Sequence, residues 1–390
     1  MNPFSSVFCT LILLASSLLS FPSDASPSRT DGRDRPGEDA VWEGIRAFYN
    51  YEFDRAVSVL SSARVDYPGH PAVHFSWAVS RWLRIRHFEG FEISYQVLET
   101  SLDEIIPLYE DLAERYPDDP SYVLFLGASK GLMARVHLAK KEWLGVLLQG
   151  VKGYRLIRVV QRSHPEIKDA YLPIGLLNFY AGTTSAVVRF LAGILGIEAD
   201  TEVGLAQIEL AAREGEYAWV EASRILAFIT LWVRDDYDAA LDIATKLRNH
   251  FPGSLYTNHL VTESLIRVGR LREAEENLRL TRVMLDELSS FPRKGWEPTL
   301  TYQEALLRFV QGDLDTALAL VTNSIESFAA ELDTPLGFGY LLRGKIYDLR
   351  GEREHAVADY RAALALDNHT SAMEKARQYL DTPYSLTDSD

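Results

Sequence analysis

Residues Gly339–Thr370 read GYLLRGKIYDLRGEREHAVADYRAALALDNHT, and their spacing decides the fold. Two runs meet at Gly351, each with apolar residues three and four apart, the signature of one buried helix face. In the second run Ala356, Tyr360, Ala363 and Leu364 share that face. Gly344 and Tyr347 lie in the first run, so small residues and an aromatic fall where two antiparallel helices would touch. A helix pair of this size cannot bury its apolar face alone, so it needs neighbours of the same kind.

The same spacing recurs near the other end, at Gly44, Phe53, Ala56, Leu60, Ala63 and Pro68. Gly44 precedes Ala56 by twelve residues, as Gly344 precedes Ala356. Weaker units centre on Asp235, Ala240 and Pro252, on Gly269 and Ala274, and on Gly312 and Ala317. The step from Ala240 to Ala274 matches a period of about 34 residues. The later steps are longer and call for extended helices or loops.

These residues resemble the tetratricopeptide repeat (TPR), with Asn368 standing where the family has proline, so the exit turn there is atypical. The resemblance implies an all-α, TPR-like solenoid of about eight or nine antiparallel helix pairs, with an irregular, longer-helix middle section. Most of the chain looks like bacterial exported proteins of this kind whose role is unassigned; for this chain we expect a non-catalytic scaffold that binds a peptide or another protein's helix in a concave groove.

The apolar run Val7–Leu19, followed by Ser23 and Ala25, reads as a signal peptide over residues 1–25. It is shorter than the roughly 20 residues a spanning helix needs. No Lys or Arg precedes it, which leaves an uncleaved membrane anchor as the alternative. Beyond it we expect a flexible linker at 26–38, an N-terminal and central helical array at 39–288, and a C-terminal repeat pair at 299–380 before a tail at 381–390. The segment SSFPRKGWEP at 289–298 clusters turn formers and reads as a bend or linker. Ser101 with Glu104 forms a capping box, and Pro107 should kink that helix or move its start.

At 47% hydrophobic and 24% charged, the 390 residues have the composition of a folded soluble chain. A net charge of −15 argues against a nucleic-acid partner, which would demand an excess of Lys and Arg. Cys9 is the one cysteine and lies inside the apolar run. An exported mature chain would therefore have no thiol for a disulfide, a zinc site or a nucleophile, which fits a periplasmic address.

Charge is unevenly spread. Residues 130–168 hold nine Lys or Arg against Glu142 and Glu166, a balance of +7 that leaves −22 for the remainder. Lys152, Arg155, Arg158 and Arg162 recur at helical spacing as one basic stripe. It reads either as an anion or partner-binding surface, facing an acidic protein segment, an anionic polymer or lipid headgroups, or as a solvated face answered by acidic neighbours. The run Ile174–Ile197 is the most apolar after the leader, with Arg189 its single charge. It reads as a surface that touches a membrane or as a short helix buried between longer ones, with Gly193 and Gly196 allowing close packing.

Catalytic signatures fail on spacing. Gly145, Gly150 and Gly153 lack the Gly-Lys-Ser/Thr of a phosphate loop. His70 and His74 are four apart, but Pro71 interrupts them and no glutamate lies between, so no metal site is expected. Asp118 with Asp119 and Asp235 with Asp236 read as turn residues. Of the tryptophans, Trp77, Trp82 and Trp143 invite a stacking role, and core packing is the simpler expectation. We therefore expect no catalytic residue and no cofactor.

Overall fold

The computed structural model describes residues 35–194, 196–330 and 333–386. The expected signal peptide, most of the 26–38 linker and the last four residues of the tail lie outside them. Among the described residues there are eighteen α-helices and no strand, and the fold is an all-α stack of helix pairs.

The chain divides into two compact units, Met1–Leu226 and Ala227–Asp390. In the first, α1 (Glu38–Tyr49), α2 (Phe53–Asp66), α3 (Val73–Phe88), α4 (Phe91–Arg115), α5 (Pro120–Ala139) and α6 (Trp143–Ser163) pack each on the next. A 3-10 turn at Lys168–Ala170 leads into α7 (Tyr171–Gly182), α8 (Ala186–Ile194) and α9 (Thr201–Glu214). Here α7 pairs with α9, and α8 is an excursion between them that packs on α7. The division falls inside α10 (Trp219–Trp232).

The second unit continues with α11 (Tyr237–His250), α12 (Leu255–Arg267), α13 (Leu271–Asp286), α14 (Ser290–Val310), α15 (Leu314–Glu326), α16 (Thr334–Leu349), α17 (Arg353–Ala365) and α18 (Ser371–Asp381). Each packs on its successor, and α12, α14, α16 and α18 also meet in turn, as the leading helices of stacked pairs do.

Small residues set the approach of the paired helices. A methyl group on Gly44 would overlap Leu60, and one on Gly344 would overlap the Tyr360 ring, the same sixteen-residue relation at both ends of the chain. Ala56, Ala63, Ala356, Tyr360 and Ala363 are buried at these contacts, and Gly351 turns the chain at a φ of 76°. Tyr347 packs its ring on His355, and the Pro68 carbonyl accepts from His74. The middle pairs go further and place glycine on both helices. Gly127 faces Gly153 between α5 and α6, and Gly175 faces Gly204 between α7 and α9, so backbone meets backbone. The glycines with phosphate-loop-like clustering are thus contact residues: Gly145 abuts His137, and Gly150 faces Ala134.

The first unit closes on Tyr217, just ahead of α10. Its ring stacks on Trp42 at 5.8 Å and meets Phe125 edge-on, and its hydroxyl donates to Glu38 at 2.8 Å. His70 Nε2–H donates to the same carboxylate at 2.9 Å. Asp169 accepts backbone N–H groups from Glu216, Tyr217 and Ala218, and so satisfies donors at the approach to α10 from a distant turn. His74 accepts from Arg64 Nε at 3.0 Å and donates to the Pro68 carbonyl at 2.8 Å. In the second unit Glu263 is fully buried and bound by Trp232 at 3.0 Å and Arg267 at 3.3 Å.

Three sequence expectations are corrected. Ser289–Pro298 is not a linker: Ser289 precedes α14, Pro292 occupies its first turn, where an N–H would be unsatisfied anyway, and Pro298 lies within it. Ser101 does not start a helix, because α4 runs unbroken from Phe91 with Pro107 inside it; Ser101 bonds back to the Val97 carbonyl and Glu104 pairs with Arg64. The buried-helix reading of Ile174–Ile197 holds for α7, with Ile174 and Leu176 in the core, and fails for α8. There Gly193 has open space beside it, while Phe190 and Ile194 face solvent. The atypical exit turn at Asn368 is built from Asp367 and His369 at positive φ, and Asn368 donates to Asp333 at 3.0 Å.

Two stability predictions follow from this packing. Gly204→Ala should cost about 1–3 kcal/mol, because the new methyl meets the Phe179 backbone. Gly131→Ala has open space and should gain up to about 1 kcal/mol of helix propensity; urea unfolding compares the two. Burial pushes the His74 and His87 imidazoles down to about 4. The unfolded chain takes up these protons near pH 6.5 and the folded one only near pH 4, so this stability is complete above the first value and is lost toward the second. The loss should be on the order of 3 kcal/mol per histidine, and unfolding titrations of the parent and of His74→Leu would show the slope and its reduction.

Candidate functional site

Helix α6 carries the basic stripe, and its sequence has two apolar sides. One is buried: it carries Val146, Gly153, Tyr154, Ile157 and Val160, and of these Tyr154, Ile157 and Val160 join Leu124, Ala170 and Ile174 in a core cluster. The other side turns outward. At 100° per residue Leu144, Leu148, Lys152, Arg155, Val159 and Arg162 fall within one sector, and all six are exposed. From Leu144 to Arg162 the face is about 27 Å long.

The stripe does not act as one set. Arg158 leans aside to Glu198 at 3.2 Å and Gln161 at 3.3 Å. Lys152, Arg155 and Arg162 have no hydrogen-bond or ion-pair partner among the described residues. Burial pushes the Tyr154 phenol up, opposed by the nearby Arg158 and Arg162 guanidiniums. The other cations of the span, Lys141 excepted, are engaged in different ways. Lys130 pairs with Glu110 at 2.8 Å and Lys140 with Glu99 at 2.5 Å. Lys168 donates to the Pro165 carbonyl, and Arg135 is buried against Trp82 and Tyr95. Lys141 is exposed in the turn before α6.

The outward face also holds apolar residues that the charge pattern does not reveal. Leu144 is 70% exposed and Leu148 about half exposed on it, while Trp143 and Leu147 are about half exposed on the adjoining flank. On α8, Phe190 is 70% exposed and Ile194 68%. The two helices are linked: Tyr154 donates to the Gly196 carbonyl at 2.7 Å, and Gly196 is only about 7 Å of chain from Ile194. Arg189 is tied to the Thr184 carbonyl at 3.0 Å, away from any ligand role.

Other candidates resolve as structure. Trp77 is buried under Arg64 at 3.7 Å and Arg81 at 4.6 Å, and Trp82 is fully buried, whereas Trp143 departs from the core expectation. His70 and His74 are each engaged in the hydrogen bonds described above, and no group of three metal-binding side chains occurs among the described residues. Asp119 and Asp236 cap α5 and α11, and Asp235 sits at a φ of 54°.

No protein-family model matches the chain. No curated protein matches it either. Among solved structures it is similar to a tetratricopeptide repeat protein from Parabacteroides merdae, at 13% identity over 88% of this chain and 97% of that one, with a TM-score of 0.31. It is also similar to the human IFIT1 dimer with m7Gppp-AAAA, at 11% identity over 96% and 85% with a TM-score of 0.42. The yeast Tom70 structure gives 11% identity over 89% and 96%, with a TM-score of 0.25. At such scores these likenesses add nothing to the helix pairing itself, which defines a TPR-like helical fold.

Because Leu144 is 70% exposed, replacing it by Ser should change unfolding free energy by no more than about 0.5 kcal/mol. Val146→Ser on the buried side should cost more than about 2 kcal/mol. Equal losses in denaturant melts would show that the outward face is part of the core.

Proposed function

We propose that the chain is a non-catalytic binding scaffold, exported to the bacterial envelope, that holds its partner through the outward face of α6. The supporting observation is the coincidence there of exposed leucines with three cations lacking an acidic partner among the described residues. Soluble proteins keep contiguous exposed apolar patches small, and larger ones rimmed by charge mark interaction sites.

Binding in a groove inside the first unit is the less favoured route. Between α1, α3, α5 and α10 the space is filled by the chain's own Trp42, Phe75, Phe125 and Tyr217 rings. The apolar run Val7–Leu19 supports the envelope address. Recognition on such a face makes and breaks no covalent bond.

A photo-crosslinking residue placed at Leu148 in living cells should give a discrete adduct, of protein or of lipid. The same probe at Val65, an exposed apolar position on α2, should give none. Absence of any adduct at Leu148 across growth conditions would refute the scaffold reading.

A further inference from the structure

We infer that the partner of this face is the surface of an anionic lipid bilayer, with α6 and α8 lying on it. The inference rests on the binding face proposed above and names its partner class.

Charge complementarity comes first. The chain holds 55 Asp and Glu, yet the sequences of α6 and α8 contain none. A chain of net charge −15 is repelled by an anionic membrane except where its local charge is reversed. Lys152, Arg155 and Arg162 make that reversal, spread over about 15 Å of helix and directed to solvent.

The apolar side chains decide between lipid and an acidic protein. Leu144, Leu147, Leu148, Phe190 and Ile194 project from two separate helices. A protein partner would need a complementary pocket for each of them. A bilayer accepts them all, because its acyl boundary adapts to whatever projects into it. The composition of α6 is that of an interfacial helix, with Trp and Leu at one end and Lys and Arg along the outward side. No described helix is long and apolar enough to cross a membrane, so the contact is with the surface.

The test reads the face itself in the full chain. Leu148→Cys in a Cys9→Ser background takes a polarity-sensitive dye at a single position, and the leader run is the same in every sample. With vesicles of phosphatidylglycerol and phosphatidylcholine the dye emission should shift to the blue. Phosphatidylcholine alone, or raised salt, should give little shift. Replacing Lys152, Arg155 and Arg162 together by Glu should weaken the anionic-vesicle affinity roughly a hundredfold, at about fivefold or more per cation. Replacing them by Gln gives a milder version of the same loss, and circular dichroism confirms that each variant is folded. No shift with anionic vesicles, or a shift indifferent to lipid charge or to the three substitutions, overturns the membrane assignment. If vesicles fail while Leu148 still crosslinks to a protein, the membrane assignment falls and the scaffold reading stands; if both fail, neither stands.

Discussion

The close approach of paired helices is the constraint on which everything else depends. A pair of amphipathic helices stays together only if its facing surfaces interlock, and here the interlock is set by glycine against a large side chain or against another backbone. Gly44 under Leu60 and Gly344 under Tyr360 give the outer pairs their spacing. Once the pairs have formed, stacking of the leading helices α12, α14, α16 and α18 follows, because each pair leaves an apolar flank that only its neighbour can cover.

The candidate face follows from the same constraint. α6 meets α5 along most of one side, through Gly145, Gly150, Gly153 and Ile157. Its far side is left without a covering helix, since the chain spends the next segment on α7, which pairs with α9. The excursion α8 is a by-product of that pairing. The tight Gly175–Gly204 approach brings α7 and α9 together beside the intervening helix, whose Phe190 and Ile194 face outward while Ala192 is buried.

Much of this was legible in the sequence, and the remainder was hidden for identifiable reasons. The end repeats could be read because their small and large residues keep a fixed offset. The glycine pairs of the middle could not, because backbone-to-backbone contact leaves no aromatic partner to mark it. The basic stripe was visible by spacing, but the departure of Arg158 toward Glu198 depends on a loop forty residues away. Trp143, Leu144 and Leu148 were unreadable as surface because α6 is apolar on two sides, and periodicity cannot say which side turns inward. Pro292 and Pro298 looked like punctuation, yet a first-turn proline sacrifices nothing and an interior one is tolerated where packing holds the helix.

The contact between Glu38 and Tyr217 joins residues 179 apart, in a unit whose other helix contacts are mostly between neighbours. Local helix pairs close quickly because little chain entropy is lost, whereas this junction must wait until the helices that present its two halves are stacked. Folding of the first unit is therefore ordered in time. Its ring of Trp42, His70, Phe125 and Tyr217 acts as a late latch, which governs how slowly the unit opens more than how fast it forms.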